Sequence, residues 1–334
     1  MDMDLYNNSP AARAVWDGAD EHLQAVYGFS ILEIVKENLK EKTIHFGGIK
    51  GQAIRQRYME MSYDTTDKDG HFKTLPLFAD INICTPKYTF SHPNGLRFAT
   101  QFAQIALVVT EKAAFEDMRH SLGGYSALAS IADVLAISAL VDVVFYRGIT
   151  MQRAVEHDSQ NRCNYAMCAV NPKVVDTISV LTASLLEIIN YNVEGQQYVC
   201  AGELVVLQTM ANVFNYLKLQ KIDIAKSTET FSVEKVKEMP GDIVKECHGR
   251  ALDQQKVTGY IQLERGFATI PLPGIDVPFH SRYLWAGPMP FRTYLSKKID
   301  PTHINPDVLI GKYTPNLIAQ PFDVSQAYAQ TIYD

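Results

Sequence analysis

Apolar positions recur at helical spacing along much of the chain. Ser9-Pro10 reads as a capping serine followed by proline at the first helical position. Ala14, Val15, His22, Leu23 and Val26 then share one face, and Gly28 closes the segment. Ser30 is placed to cap a second helix reaching Leu39. Residues 43–47 predict a short strand, Lys50 to Tyr63 a polar helix, and 64–73 a solvated loop. Arg97 to Met118 predicts a long helix with Phe98, Phe102, Ile105, Val109 and Ala113 on one face. Beyond Ser121 the pattern predicts two more helices, over 126–135 and 137–154.

The middle of the chain changes character. Tyr165 to Val170 predicts a strand, and Asn171-Pro172 opens a helix to about Ser184. Strands are predicted over Leu186 to Tyr191, Tyr198 to Gly202 and Ala268 to Leu272. Between the last two lie a strongly periodic helix, Glu203 to Gln220, and a further helix, Ser232 to Leu252, broken near Pro240-Gly241. The order strand–helix–strand–strand–helix–strand is ferredoxin-like and marks a small α+β subdomain at 155–275. The remainder, 1–154 and 276–334, forms a discontinuous main body. Its last part predicts a helix over 281–297 and strand-like segments Val308 to Ile310 and Asn316 to Phe322.

Composition narrows the function classes. The 334 residues are 47% hydrophobic and 20% charged, which suits one large or two medium globular units. A net charge of −6 with no basic run speaks against nucleic acid and against a charged membrane surface. Met1-Asp2-Met3-Asp4 has neither the basic nor the apolar region of a signal peptide. The most apolar stretch, Tyr125 to Tyr146, is interrupted by Asp133 and Asp142 and reads as packed helices rather than a membrane span. Cys84, Cys163, Cys168, Cys200 and Cys247 form no CxxC pair, so neither a disulfide frame nor a metal site is expected. Reduced thiols fit a cytoplasmic protein.

Chemistry gathers around Arg119-His120-Ser121-Leu122-Gly123-Gly124-Tyr125. A serine among small residues, followed by a helix-like segment, has the form of a nucleophile elbow, and the Leu122 N–H would then be an oxyanion donor. The general pattern is G-x-S-x-G, and Arg119 stands where the first glycine belongs. On the pattern alone an ordinary loop serine fits as well as a nucleophile, and water fits as well as any other acceptor. Arg147 lies on an otherwise apolar helix (Leu140, Val143, Val144, Tyr146). A buried guanidinium there needs a partner. Either an acidic neighbour supplies it, or the planar fork is kept for the carboxylate of a ligand.

Several blocks together resemble one family. His120-Ser121-Leu122-Gly123 with Tyr125 is similar to the GHSLGEY signature of malonyl/acyl-CoA:acyl-carrier-protein transferases. Phe145-Tyr146-Arg147-Gly148 with Met151-Gln152 resembles their arginine motif. Asn190-Tyr191-Asn192-Val193 resembles their NYN block, and Val277-Pro278-Phe279-His280-Ser281 their histidine motif. The order resembles most the malonyl/palmitoyl transferase domain of the fungal-type fatty acid synthase β subunit, over nearly the whole chain. The resemblance implies an α/β-hydrolase-like core with a parallel sheet, carrying the ferredoxin-like insert. It implies Ser121 as nucleophile, His280 as general base held by a backbone carbonyl near Asn316, and Arg147 as the fork for a malonyl carboxylate. Phe279 matches the family's malonyl-preferring variant. Gln152 and Asn192 match polar positions near the site, though satisfying local backbone is an equal reading. Gln101 and Gln104, in a stretch like the family's TQPAL, read as structural. The implied substrates are malonyl-CoA or another acyl-CoA and the phosphopantetheine thiol of acyl carrier protein. Other synthase domains or subunits are further implied partners. No metal or redox cofactor is implied.

Three departures from that family carry expectations of their own. The family opens with a strand and a GQGSQ loop, and this chain begins just past it. Loss of that oxyanion donor is expected to cost roughly 3–4 kcal/mol of transition-state stabilisation. Glu116-Asp117-Met118 runs straight into Arg119-His120-Ser121 with no return strand, and Ala113, Ala114 and Glu116 are poor strand formers. The link from Val175 to Leu186 is shorter than in the family. The alternative to an active transferase is therefore a non-catalytic, truncated or decayed module of such a subunit, structural or carrier-protein-binding.

Overall fold

The structure is a computed structural model. It describes all residues except 1–2, 67–71, 123–135, 171–184, 194–196, 221–232, 267, 286, 300, 301, 303, 304, 306, 308, 312, 316, 317 and 334. The chain divides into two compact units, Met1–Arg153 with Gly287–Asp334, and Ala154–Ala286. Helices and strands are both plentiful, which makes the chain mixed α/β. Among the described residues no helix is long and apolar enough to cross a membrane.

The first unit is built on helices. After a short α1 (Asp4–Asn8) comes α2 (Pro10–Val26), begun by Ser9, whose side chain accepts from the Ala12 N–H. Its buried face carries Ala12, Trp16, Ala19 and Leu23. Asp20 on α2 is also buried, at 7% exposure, and a carboxylate there must be satisfied. It accepts from Ser30 Oγ (2.8 Å), the Leu32 N–H (3.0 Å) and Gln24 Nε2 (2.6 Å), so it ties α2 to the start of α3 (Ile31–Glu37). Gly28, at φ 80°, lets the chain turn between them. A Cβ there would sit 2.8 Å from Ile44 Cγ2.

The strands of this unit are short and antiparallel. β1 (Glu41–His45) pairs with β4 (Lys87–Ser91), while β2 (Ser62–Thr66) pairs with β3 (Phe72–Pro76); α4 (Gly48–Glu60) lies between β1 and β2 in sequence. Of the residues read from sequence as a solvated loop over 64–73, 64–66 and 72–73 belong to this antiparallel ribbon, and 67–71 lie outside those described. The parallel sheet expected for the core is not found among the described residues of this unit, where both strand pairs are antiparallel. The core is instead aromatic. Tyr27, Phe29, Tyr58, Phe78, Phe90, Phe102 and Phe145 are buried and in mutual ring contact, and the Tyr58 hydroxyl donates to the Tyr27 carbonyl at 2.9 Å.

Two long helices cross behind those rings, α5 (Thr100–Leu122) and α6 (Ile137–Arg153). Gly148 makes the crossing close. A Cβ at this position would lie 2.4 Å from Gln101 Cα and 3.0 Å from the Thr100 carbonyl oxygen. Those are backbone atoms of a packed helix and cannot swing aside. Gly148→Ala is therefore expected to destabilise the protein by about 1–3 kcal/mol, the usual cost of overpacking. The check is the urea midpoint, and an unchanged midpoint would mean that the helices part without penalty. The final elements of the unit are α9 (Pro288–Lys298) and α10 (Gln326–Tyr333). The helix expected over 281–297 starts late because Pro288 stands at its first turn; residues 282–284 form a separate 3-10 turn. Leu309 and Ile310, expected in a strand, lie in a turn.

The second unit is a four-stranded sheet, every neighbouring pair antiparallel, in the order β6 (Leu186–Val193), β7 (Gln197–Glu203), β5 (Tyr165–Val170), β8 (Thr269–Pro271). Side chains alternate across its strands. Cys168, Val170 and Cys200 face α7 (Leu204–Leu219) and α8 (Val233–Thr258), meeting Val206, Met210, Phe214, Val244 and Cys247. Met167, Val199 and Ala201 face the other way, against Ile189, Leu272, Ile275 and Phe279. α8 runs unbroken through Pro240-Gly241, against the expected break.

All five cysteines are free thiols, Cys84 exposed and the others buried. Burial pushes the thiols of Cys163 and Cys168 up to about 12, so neither is a nucleophile near neutral pH.

Candidate acyl-transfer site

In the first unit the structure brings Arg147, Gln104, Met151 and Gln152 together where α6 crosses α5. Arg147 is exposed, not buried as the apolar run around it predicts, because Gly148 rather than Arg147 occupies the crossing point. Its Nη1 donates to Gln104 Oε1 at 2.7 Å, and Gln104 Nε2 reaches Met151 Sδ at 3.5 Å. Among the described residues no carboxylate pairs with Arg147. A neutral amide therefore orients the guanidinium without compensating its charge, and most of the fork is left for a ligand. Gln104, read from sequence as structural, is thus a direct partner of the candidate carboxylate fork. The TQPAL-like stretch held that signal.

Gln152 Oε1 accepts from the Thr100 N–H at 3.1 Å. That amide opens α5 and lacks a partner within the helix, so Gln152 caps α5 from α6, 52 residues away in sequence. Gln101 is 5% exposed, and its Oε1 has no hydrogen-bond partner among the described residues. A separate cavity of about 260 Å³ is lined by Tyr27, Asp142, Tyr146 and Tyr294 among others. None of the candidate site residues lines it.

The serine region differs from expectation. An elbow needs a strand, a sharp turn and then a helix. Here α5 continues as helix through Ser121 and ends at Leu122. The physical reason lies in 113–118, Ala-Ala-Phe-Glu-Asp-Met, which prefers helix to strand. A helical amide normally bonds the carbonyl four residues back, so the donor role expected of Leu122 requires the turn rather than this helix. The residues expected to form the next helix, 126–135, lie outside those described, as does Asn316.

In the second unit His280 is exposed and has φ 61°, in the left-handed region. It sits third in a turn whose first residue, Pro278, accepts from the Ser281 N–H (3.3 Å) and from Ser281 Oγ (2.7 Å). Position three of such turns commonly carries glycine or asparagine, and histidine is among the residues that tolerate it. Phe279 is half-buried and packs on two apolar groups, Val155, Cys163 and Val277 on one side and Met167, Val199 and Ala201 on the other. It thereby anchors the turn. Asn192 is exposed on β6, where register shifts at Ile188/Asn190 and Tyr191/Val193 interrupt the ladder.

Comparison with known proteins agrees with the family reading. The acyl transferase domain family matches residues 1–333, and the chain belongs to that family. It is 51% identical to the fatty acid synthase subunit beta of Schizosaccharomyces pombe and 47% identical to that of Saccharomyces cerevisiae, in each case over the whole chain but only 17% of the relative. The chain thus spans about a sixth of the length of these curated relatives. Among solved structures, the malonyl-CoA:acyl carrier protein transacylase of Helicobacter pylori aligns over 90% of this chain and 65% of its own, at 12% identity and TM-score 0.46. The malonyl CoA-acyl carrier protein transacylase of Clostridium perfringens aligns over 89% and 63%, at 19% identity and TM-score 0.43.

Proposed function

We propose that the chain is the malonyl/palmitoyl transferase unit of a fungal-type fatty acid synthase β subunit, moving malonyl and other acyl groups between CoA and acyl carrier protein. The observation that carries this reading is Arg147. An exposed guanidinium is held by the neutral Gln104, with no carboxylate partner among the described residues. That suits an acyl group bearing a free carboxylate. In the proposed reaction Ser121 Oγ bonds to the thioester carbon as its proton passes to His280. The carbon–sulfur bond then breaks, and the CoA thiolate takes the proton back from the imidazolium. The phosphopantetheine thiol reverses these steps, leaving free serine and acyl carrier. The first unit supplies the hydrolase-like core in this reading and the second the ferredoxin-like insert. Gln152, Asn192, Phe279 and Asn316 border the acyl group, and Leu122 supplies the oxyanion donor in a state where the end of α5 gives way to a turn.

A second reading is favoured by one specific observation, the helix that runs through Ser121. In it the unit is non-catalytic and serves as a structural or carrier-binding part of the synthase. Incubation with radiolabelled malonyl-CoA separates the two. The expected result is a stable label lost in Ser121→Ala and discharged by phosphopantetheinylated carrier. Absence of label would favour the second reading, and release of free malonate without carrier would indicate a hydrolase.

A further inference from the structure

His280 is exposed, and among the described residues its ring makes no hydrogen bond. Nothing on the imidazole itself sets its direction within this unit. The backbone does so, and a left-handed residue holds its place only where flanking contacts over-determine it. Those contacts are visible on both sides. Upstream, the Cys163 thiol donates to the Asp276 carbonyl, His157 Nε2 lies 3.4 Å from Asp276 Oδ2, and Val277 is fully buried. Downstream, Ser281 is 1% exposed, and Arg282 opens the 3-10 turn of 282–284.

The first amide of such a turn has no partner of its own, and Ser281 provides no side-chain cap. Glu187 on β6 supplies the cap from 95 residues away in sequence. Its Oε2 accepts from the Arg282 N–H at 2.9 Å, and its Oε1 meets Arg282 Nε at 2.7 Å. The ladder sets Glu187 opposite Ala201. Directly paired residues share a face of the sheet, and Ala201 lies on the face that also receives Phe279. One rigid strand face thus holds the turn on both sides of His280, by apolar packing at 279 and by a charged acceptor at 282.

We infer that Glu187 is a positioning residue for His280: its carboxylate, by accepting from the Arg282 amide, fixes the turn that aims the imidazole. The inference rests on the reading of His280 as the general base. The backbone bond is the part that matters. The ion pair to Arg282 is solvated, the arginine side chain being 62% exposed, and contributes little.

The test uses Glu187→Ala, Glu187→Gln and Arg282→Ala in the full chain. The readouts are kcat and KM for malonyl transfer to carrier, and the NMR signals of the His280 ring, assigned by their loss in a His280 variant. Glu187→Ala should lower kcat about 10- to 100-fold, as for a misplaced catalytic group, with KM little changed. It should also shift or broaden the His280 signals. Glu187→Gln, which keeps an oxygen acceptor for the amide, should restore kcat to within about threefold, as should Arg282→Ala, which removes only the solvated pair. If Glu187→Ala does not fold, Glu187→Asp, one methylene short of the amide, carries the same expected loss. An unmoved His280 signal with unchanged kcat, or a Gln variant as impaired as the Ala variant, overturns the inference. If the parent chain transfers no malonyl, the NMR arm still decides. Movement in Glu187→Ala that Glu187→Gln reverses upholds the positioning role while the functional reading fails.

Discussion

Arg147→Ala is expected to weaken malonyl-CoA about 10- to 100-fold while changing palmitoyl-CoA by no more than about twofold. A hydrogen bond to a charged group contributes about 1.5–3 kcal/mol, and the guanidinium fork offers two in a fixed plane. The structure leaves that fork available. Among the described residues its hydrogen-bond partner is Gln104 Oε1, a neutral acceptor that holds Nη1 without cancelling the charge. An uncharged acyl chain has nothing to pair with and should not register the loss. Arg147→Lys keeps the charge but not the plane, and should recover only part of the affinity. Calorimetry with the two donors measures this whether or not the chain turns over. Equal losses for both donors would assign Arg147 to the packing of α5 on α6 instead.

His280 should show the largest effect on rate. Removing a general base typically slows a reaction about 10²–10⁴-fold, and in the proposed reaction, where one imidazole serves both steps, acylation and deacylation should fall together. The backbone at 280 decides how the experiment is made. At φ 61° an alanine is strained by roughly 1–2 kcal/mol, so His280→Ala mixes loss of the base with loss of the turn. Asparagine tolerates this conformation, and His280→Asn removes the base with the turn kept. Burst and steady-state malonyl transfer should collapse in His280→Asn at an unchanged melting temperature. Malonyl loading at the parental rate would show that His280 is not the base.

Much of this was legible in the chain as written. The Ser9-Pro10 cap and the 3.6-residue period placed α2 to within a residue or two, and the same period placed α7. The apolar run at 165–170 announced β5, a largely buried strand continuous enough to read without a partner, and the strand expected over 186–191 lies within β6, whose far end is exposed. The blocks around Ser121, Arg147, Asn192 and His280 carried the family, since each joins uncommon residues at fixed spacing.

Other features depend on neighbours that no local pattern contains. β2 and β3 are short and lack a clear alternation of apolar and polar residues, and only their pairing makes them strands. Pro240 sits inside a helix that continues through it, against the local rule that proline ends one. Arg147 was placed on the correct helix but on the wrong side of the burial boundary, because the crossing at Gly148 set which residues of α6 were covered. Gln104 became a partner of Arg147 only through that same crossing, 43 residues away in sequence. The sequence by itself determined α2 and α7, the strands of the second unit and the family, all of which rest on local spacing. The exposure of Arg147, the left-handed turn at His280 and the acceptor that Glu187 lends to it were decided by tertiary structure, since each needs distant backbone brought within hydrogen-bonding or van der Waals range.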